Sequence, residues 1–203
     1  MTTIINESIS DRGLIRASLG LTVLSIAGFG FLYSLAGVGI GQMLFPETAS
    51  GSLIERNSVI MGSSLIAQPF INDQYFQSRP SAAGYNPMAA AGSNQARTNA
   101  ELAKRVSDAA SSIAQREHVQ QADVPSDLVT QSGGGLDPHI SPQAAAIQIE
   151  RVAKARELPI EKVSSLVGRY TEGPQFGMLG QPRVNVLKLN LALDQTKISP
   201  DQN

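Results

Sequence analysis

From Ala17 to Phe45 the chain runs ASLGLTVLSIAGFGFLYSLAGVGIGQMLF, twenty-nine residues without a charged side chain. A helix needs about 20 apolar residues to cross the hydrocarbon core of a bilayer. That stretch therefore divides the chain into a short N-terminal segment, 1–13, a transmembrane helix over 14–45, and a separate body beyond Pro46. Its glycines, Gly20, Gly28, Gly30, Gly37, Gly39 and Gly41, would weaken a helix in water. In lipid, small residues let helices approach closely, which predicts packing against other membrane helices. Arg12 and Arg16 precede the span, whereas Glu47 and Glu55 arrive before Arg56 on its far side. The positive-inside rule then places residues 1–13 in the cytoplasm and the body outside. A cleaved secretory signal is a rival reading, favoured by the small residues around Ser34 to Gly37, but a signal's apolar region is about 7–15 residues long. A pilin-like leader would carry an acidic residue just inside the apolar stretch, and this one has none.

Only 16% of the 203 residues are charged, and the formal net charge is −1 with no run of Lys or Arg. Such a chain lacks the electrostatic footprint that binds nucleic acid. There is no cysteine, which removes disulfides, thiolate catalysis and Cys-ligated zinc together.

The body reads as a mixture of strands and helices, α+β or a small α/β. SVIMGSSLIAQPF suggests a strand broken by Gly62 and stopped by Pro69, and QYFQSRPSA a short aromatic segment that pairs with it. Ala82–Asn99, rich in Gly, Ala, Asn and Pro, reads as a long loop, and loops of that length are uncommon unless functional. Helices are predicted after the N-cap Asn99, with Leu102, Val106, Ala109 and Ile113 on one face; over 142–157, with Ser141 as N-cap and Pro142 in the first turn; and from Pro159 to about Gly173. RVNVLKLNLALDQ alternates, apart from one slip at Val186–Leu187, as a half-buried strand does. The polar residues from Gln195 to the end, with 196–203 as a tail, should fray.

The loop SGGGLDPHIS, entering the second helix, contains the residue types of three different sites. A phosphate loop of the Walker kind requires a Lys beside Ser or Thr after its glycines, and neither follows here. A Ser132–His139–Asp137 hydrolase lacks the G-x-S-x-G elbow, and His139 lies only two residues from Asp137, the spacing of a turn contact. The chain's only histidines, His118 and His139, have no companion motif for a metal. The remaining reading is a glycine-permitted turn in which Asp137, His139 and Ser141 bond backbone groups ahead of a helix.

YFQSRPSAAGYNP, GSN at Gly92 to Asn94, VPSDLVTQSGGGLDPHISPQAA, RVAKAR and RVNVLKLNLALDQ stand in that order behind a single N-terminal span. Together they resemble the C subunits of the Kdp potassium-transporting ATPases, over Leu14 to Gln195. The chain departs from the usual family pattern at Ala90 and Ala91, at Gln95 to Arg97, and at Gln131 and Gly134. The resemblance implies a non-catalytic accessory subunit of a bacterial inner-membrane pump. Its partners would be a channel-like A subunit that carries potassium, a P-type ATPase B subunit that hydrolyses ATP, and a small F subunit. It would bind no cofactor alone, ATP and potassium being used by the complex. The resemblance also implies a catalytic chaperone that raises the B subunit's affinity for ATP, in one version through nucleotide contact at Ser132, Gly133 and Gly134. The charge bias opposes direct contact, because it puts that loop outside and ATP is cytoplasmic. Arg79, Tyr85, Asn86, Asn94, Asp137, His139 and Ser141 are the polar positions expected to fix loop geometry or meet a partner. The competing class is a membrane-anchored extracytoplasmic hydrolase or binding module that uses the Asp137–His139 loop.

Overall fold

The computed structural model describes residues 11–196 as two compact units, divided between Ser52 and Leu53. The first is one long helix: α1 (Asp11–Ser25), a π-helical segment (Ile26–Leu32) and α2 (Tyr33–Leu44). Where the winding loosens, Tyr33 N–H donates to the Gly28 carbonyl, five residues back, the wider turn characteristic of π-bulges. Leu, Val, Ile and Phe side chains stand exposed all round it, among them Phe29 and Leu24. A helix apolar on every face requires lipid or neighbouring helices, and Arg12–Leu44 is long and apolar enough to cross a bilayer. A short turn, α3 (Pro46–Ala49), follows, with Ser50 N–H on the Pro46 carbonyl and Ser52 N–H on the Glu47 carbonyl.

The second unit begins with an antiparallel hairpin, β1 (Leu53–Arg56) and β2 (Val59–Ser63). Arg56 pairs with Val59 across a two-residue loop in which Asn57 and Ser58 both have positive φ. That is the type I′ geometry matching the natural twist of a hairpin. The partner of β2 is thus β1, not the aromatic segment the sequence suggested. Next come α4 (Ala100–Glu117), α5 (Ser126–Val129), β3 (His139–Ile140), α6 (Pro142–Ala146), α7 (Ile149–Arg156), α8 (Ile160–Arg169), β4 (Thr171–Glu172), β5 (Arg183–Asn185) and α9 (Val186–Thr196). The second sheet is small and antiparallel, in the order β3-β5-β4. This mixed helical body with two small sheets is α+β. Its core gathers Val152 and Ala153 of α7, Val163, Leu166 and Val167 of α8, and Val186, Leu189 and Leu193 of α9 around Phe76 and Ile140.

Asn99 caps α4 by accepting from Glu101 N–H at 2.8 Å, as the sequence predicts. The helix expected over 142–157 is divided instead, because Gln148 at the break turns a fully buried amide inward, donating to the Ala144 carbonyl at 3.0 Å. The long strand expected over 183–195 is corrected more sharply: three residues pair, and the rest is helix. Its buried positions, Val186, Leu187, Leu189, Asn190 and Leu193, recur at three- and four-residue spacing, so the slip at Val186–Leu187 marked the end of the strand. Gln195 and Thr196 end α9 rather than fray, and the remainder of the polar tail, like residues 1–10, lies outside the described residues.

The segment Gln74–Pro80 belongs to no ladder. Side chains from α7, α9 and the break between α6 and α7 hold its backbone. Asn190 of α9 accepts from Phe76 N–H and donates to Phe76 C=O, both at 2.9 Å. Gln148 accepts from Gln77 N–H at 2.8 Å, Arg151 donates to the Tyr75 carbonyl at 3.0 Å, and Arg156 to the Gln74 carbonyl at 2.6 Å. Buried backbone groups must find partners, and here amide and guanidinium groups replace a neighbouring strand.

Candidate functional site

Pro80 leads from that pinned segment into the long loop, and the loop closes onto the glycine turn. Pro80 C=O accepts from Ser132 N–H at 3.3 Å, and Ser81 Oγ donates to Gly135 C=O at 2.5 Å while accepting from Tyr85 N–H at 2.9 Å. Of the three glycines in the turn, Gly135 is the one whose backbone demands it: its φ is +72°, and a Cβ there would lie 2.7 Å from the Ala91 carbonyl oxygen. From the other side, a Cβ on Gly92 would lie 2.5 Å from the Gly133 carbonyl oxygen. The two loops therefore interlock backbone to backbone, and Gly92 of the GSN motif supplies the clearance.

Asp137 is the centre of the turn. Its Oδ1 accepts from His139 N–H at 3.0 Å and lies 3.3 Å from His139 Nδ1, and its Oδ2 accepts from Arg79 Nη1 at 3.0 Å. Partial burial by itself raises the Asp137 pKa, but the hydrogen bonds from the His139 ring and backbone, with Arg79 beside them, outweigh it and hold the carboxyl below its ordinary value. Tyr85 locks the approach by donating its hydroxyl to the Arg79 carbonyl at 2.9 Å, and burial raises its pKa. Ser141 caps α6, accepting from Ala144 N–H at 3.0 Å, and is itself held by Asp127, whose carboxylate accepts from Ser141 N–H at 2.7 Å and from its Oγ at 3.1 Å.

An open cleft of about 870 Å³ brings Arg79, Asp137, His139 and Ser141 together, joined by Asp127 and Arg183. The other expected residues lie elsewhere. Tyr85 stands behind Arg79. Asn86 is exposed and caps a short turn through Met88 N–H at 3.0 Å; Asn94 is exposed at a φ of 49°. Ser132 is 3% exposed, whereas Gly133 and Gly134 face solvent.

His139 sits against Asp137 as the base of a catalytic relay sits against its orienting carboxylate, but both nearby hydroxyls are engaged inside the chain. Ser132 Oγ accepts from Asp137 N–H at 3.4 Å, and Ser141 Oγ lies between Asp127 and Ala144. No three His, Cys, Asp or Glu side chains converge as a metal site among the described residues. Sequence reasoning missed Asp127, whose partner is fourteen residues away, and the set Gln148, Arg151, Arg156 and Asn190. A signal existed for the last, an amide at a core-facing position of a leucine-rich run.

The family model of the K+-transporting ATPase c chain, KdpC, matches residues 15–195. A potassium-transporting ATPase KdpC subunit of Xanthomonas campestris pv. campestris is 54% identical over 185 residues, which cover 91% of this chain and 88% of the relative. That of Shewanella putrefaciens is 53% identical over 181 residues, 89% of each. That of Gemmatimonas aurantiaca is 48% identical over 183 residues, 89% of this chain and 92% of the relative.

Proposed function

The chain belongs to the KdpC family, the c chains of K+-transporting ATPases, and from that premise we propose that it is an accessory subunit that assembles an ATP-driven potassium uptake pump without catalysing a step itself. Its partners are the channel-like A subunit, the P-type ATPase B subunit and the small F subunit, with the apolar helix packed among them in the inner membrane. Arg12 and Arg16 support a cytoplasmic N-terminus and an external body.

The observation that carries the accessory reading is that the Asp137–Ser141 turn is occupied with itself: carboxylate, imidazole and hydroxyls all bond groups of this chain. Such a turn sets the shape of a surface. The Ala82–Asn99 loop, pinned at Gly92, belongs to that surface and covers the potassium entrance of the channel-like subunit. With the body outside, Ser132, Gly133 and Gly134 stand on the opposite side from ATP, so the increase in ATP affinity is transmitted through the complex as a coupling between sites.

Pull-down of the tagged full chain from detergent, with mass spectrometry and ATPase assays of the eluate, tests this. Copurification of a P-type ATPase and a channel-like subunit, with potassium-stimulated activity, is the expected result. A chain that elutes alone overturns it in favour of an anchored hydrolase or binding module at Asp137 and His139.

A further inference from the structure

In the β1–β2 hairpin, β1 carries Glu55 and Arg56, but β2 is apolar where a strand facing water should be polar. Val59 and Ile60 are 59% and 57% exposed, and Leu53, Met61, Leu65 and Ile71 are exposed as well. The sixteen residues 57–72 carry no charge. Two-stranded hairpins are marginal by themselves in water, and contiguous exposed apolar surface marks a place that something covers. The covalent chain indicates what covers it. Seven residues separate Phe45 from Leu53, and the Ser52 N–H to Glu47 carbonyl bond of 2.8 Å folds them into a turn. At 3.8 Å per Cα step, that fold keeps Leu53 within roughly 15–20 Å of the end of the membrane-crossing helix. The polar layer of a bilayer extends about 5–8 Å beyond the hydrocarbon, and amphipathic elements in it sink their apolar side about 5–10 Å. That depth leaves the free backbone edges of a two-stranded hairpin among wet headgroups, where they are tolerated.

We propose that the hairpin is a membrane-interface element: Val59, Ile60 and Met61 enter the boundary between headgroups and acyl chains, and the lipid surface is the partner that covers them. This rests on the apolar helix being a retained membrane span, but not on the identity of the pump's other subunits. At the hairpin's foot Gly62 leaves room for the Gln68 side chain, whose Nε2 donates to the Met61 carbonyl at 3.0 Å.

The chain has no tryptophan, so single substitutions report their own surroundings. Full-length Ile60→Trp, with Val59→Trp as a second probe of the same strand, is reconstituted in phosphatidylcholine vesicles whose acyl chains carry bromine near the carbonyl end. Phe29→Trp marks the span, and Phe176→Trp the separate apolar group at residues 174–180. The hairpin probes are expected to be blue-shifted and quenched by shallow bromines more than by bromines deep in the chain. Phe176→Trp is expected to remain unquenched. Hairpin probes that stay red-shifted and unquenched while Phe29→Trp is quenched overturn the proposal. Probes that become blue-shifted only in the assembled pump, without lipid quenching, overturn it in favour of a protein cover. An unquenched Phe29→Trp shows instead that the span reading has failed, and the proposal falls with it.

Discussion

Replacing Asn190 with Ala isolates the device that holds Gln74–Pro80. Asn190 is 1% exposed and Phe76 0%, so neither the Phe76 N–H nor its C=O recovers water as a partner when the amide goes. A buried backbone group left unsatisfied costs about 1–3 kcal/mol, and two of them cost about 2–6 kcal/mol. Against this, Ala is the better helix former within α9, by less than about 0.7 kcal/mol. A net loss near ~3 kcal/mol is a large part of the ~5–15 kcal/mol that typically separates folded from unfolded. In a domain of this size it corresponds to a fall of roughly 6–12 °C in melting temperature. Asn190→Asp separates the two bonds: it keeps the acceptor for Phe76 N–H but faces the carbonyl oxygen with a charge. That carboxyl is best neutral in the fold, so its deficit relative to the parent should narrow as pH falls toward about 4, where a protonated acid can donate. Thermal unfolding of the detergent-solubilised full chain, followed by circular dichroism, measures all three. Gln115→Ala, at an exposed position of α4, serves as a control expected to stay within about 0.5 kcal/mol. An Asn190→Ala melting temperature within 3 °C of the parent, a change of about 1 kcal/mol, would refute the claim that these bonds hold the segment.

Gly92→Ala should unlock the interlocked loops, since its Cβ falls 2.5 Å from the Gly133 carbonyl oxygen; faster protease cleavage within 82–99 is the expected signature. Asp137→Ala should lower stability by at least the ~1 kcal/mol of a lost cap, seen in thermal unfolding, because it removes the acceptor of both His139 N–H and Arg79. Since the folded-state Asp137 pKa is depressed, its contribution is present above the ordinary aspartate value near about 4 and is lost as pH falls through the lower folded value. Acid titration of Asp137→Asn should therefore show a flatter stability profile in that window. Gly28→Leu with Gly30→Leu should weaken copurification with membrane partners while leaving the isolated chain's helicity intact, as neither site meets a close neighbour within the chain.

The long apolar helix, α4 with its Asn99 cap, α6 with its Ser141 cap and the Asp137 turn were legible in the sequence, because each rests largely on contacts between residues close in the chain. The misreadings share the opposite cause. In RVNVLKLNLALDQ the leucines at every second position imitate a strand, and the decision for helix lies with Phe76, whose backbone claims Asn190 from 114 residues away. Gln148 broke a predicted helix for the same reason, its amide being engaged with Gln77. The cleft was half legible: Arg79, Asp137, His139 and Ser141 stood out as polar residues in glycine-rich surroundings. Asp127 and Arg183 entered it only through tertiary approach.

The pin between Phe76 and Asn190 also sets an order in time. A ribosome releases the chain from its N-terminus, so the membrane helix has left the exit tunnel while the residues that fix Gln74–Pro80 are still to be made. Because α9 (Val186–Thr196) follows Phe76 by more than a hundred residues, the body cannot close its core until that helix has been made. Until then the Phe76 N–H has no Asn190 oxygen to donate to. A nascent chain stalled before Asn190 would leave Phe76 open to quality-control proteases, and a chain released whole would not.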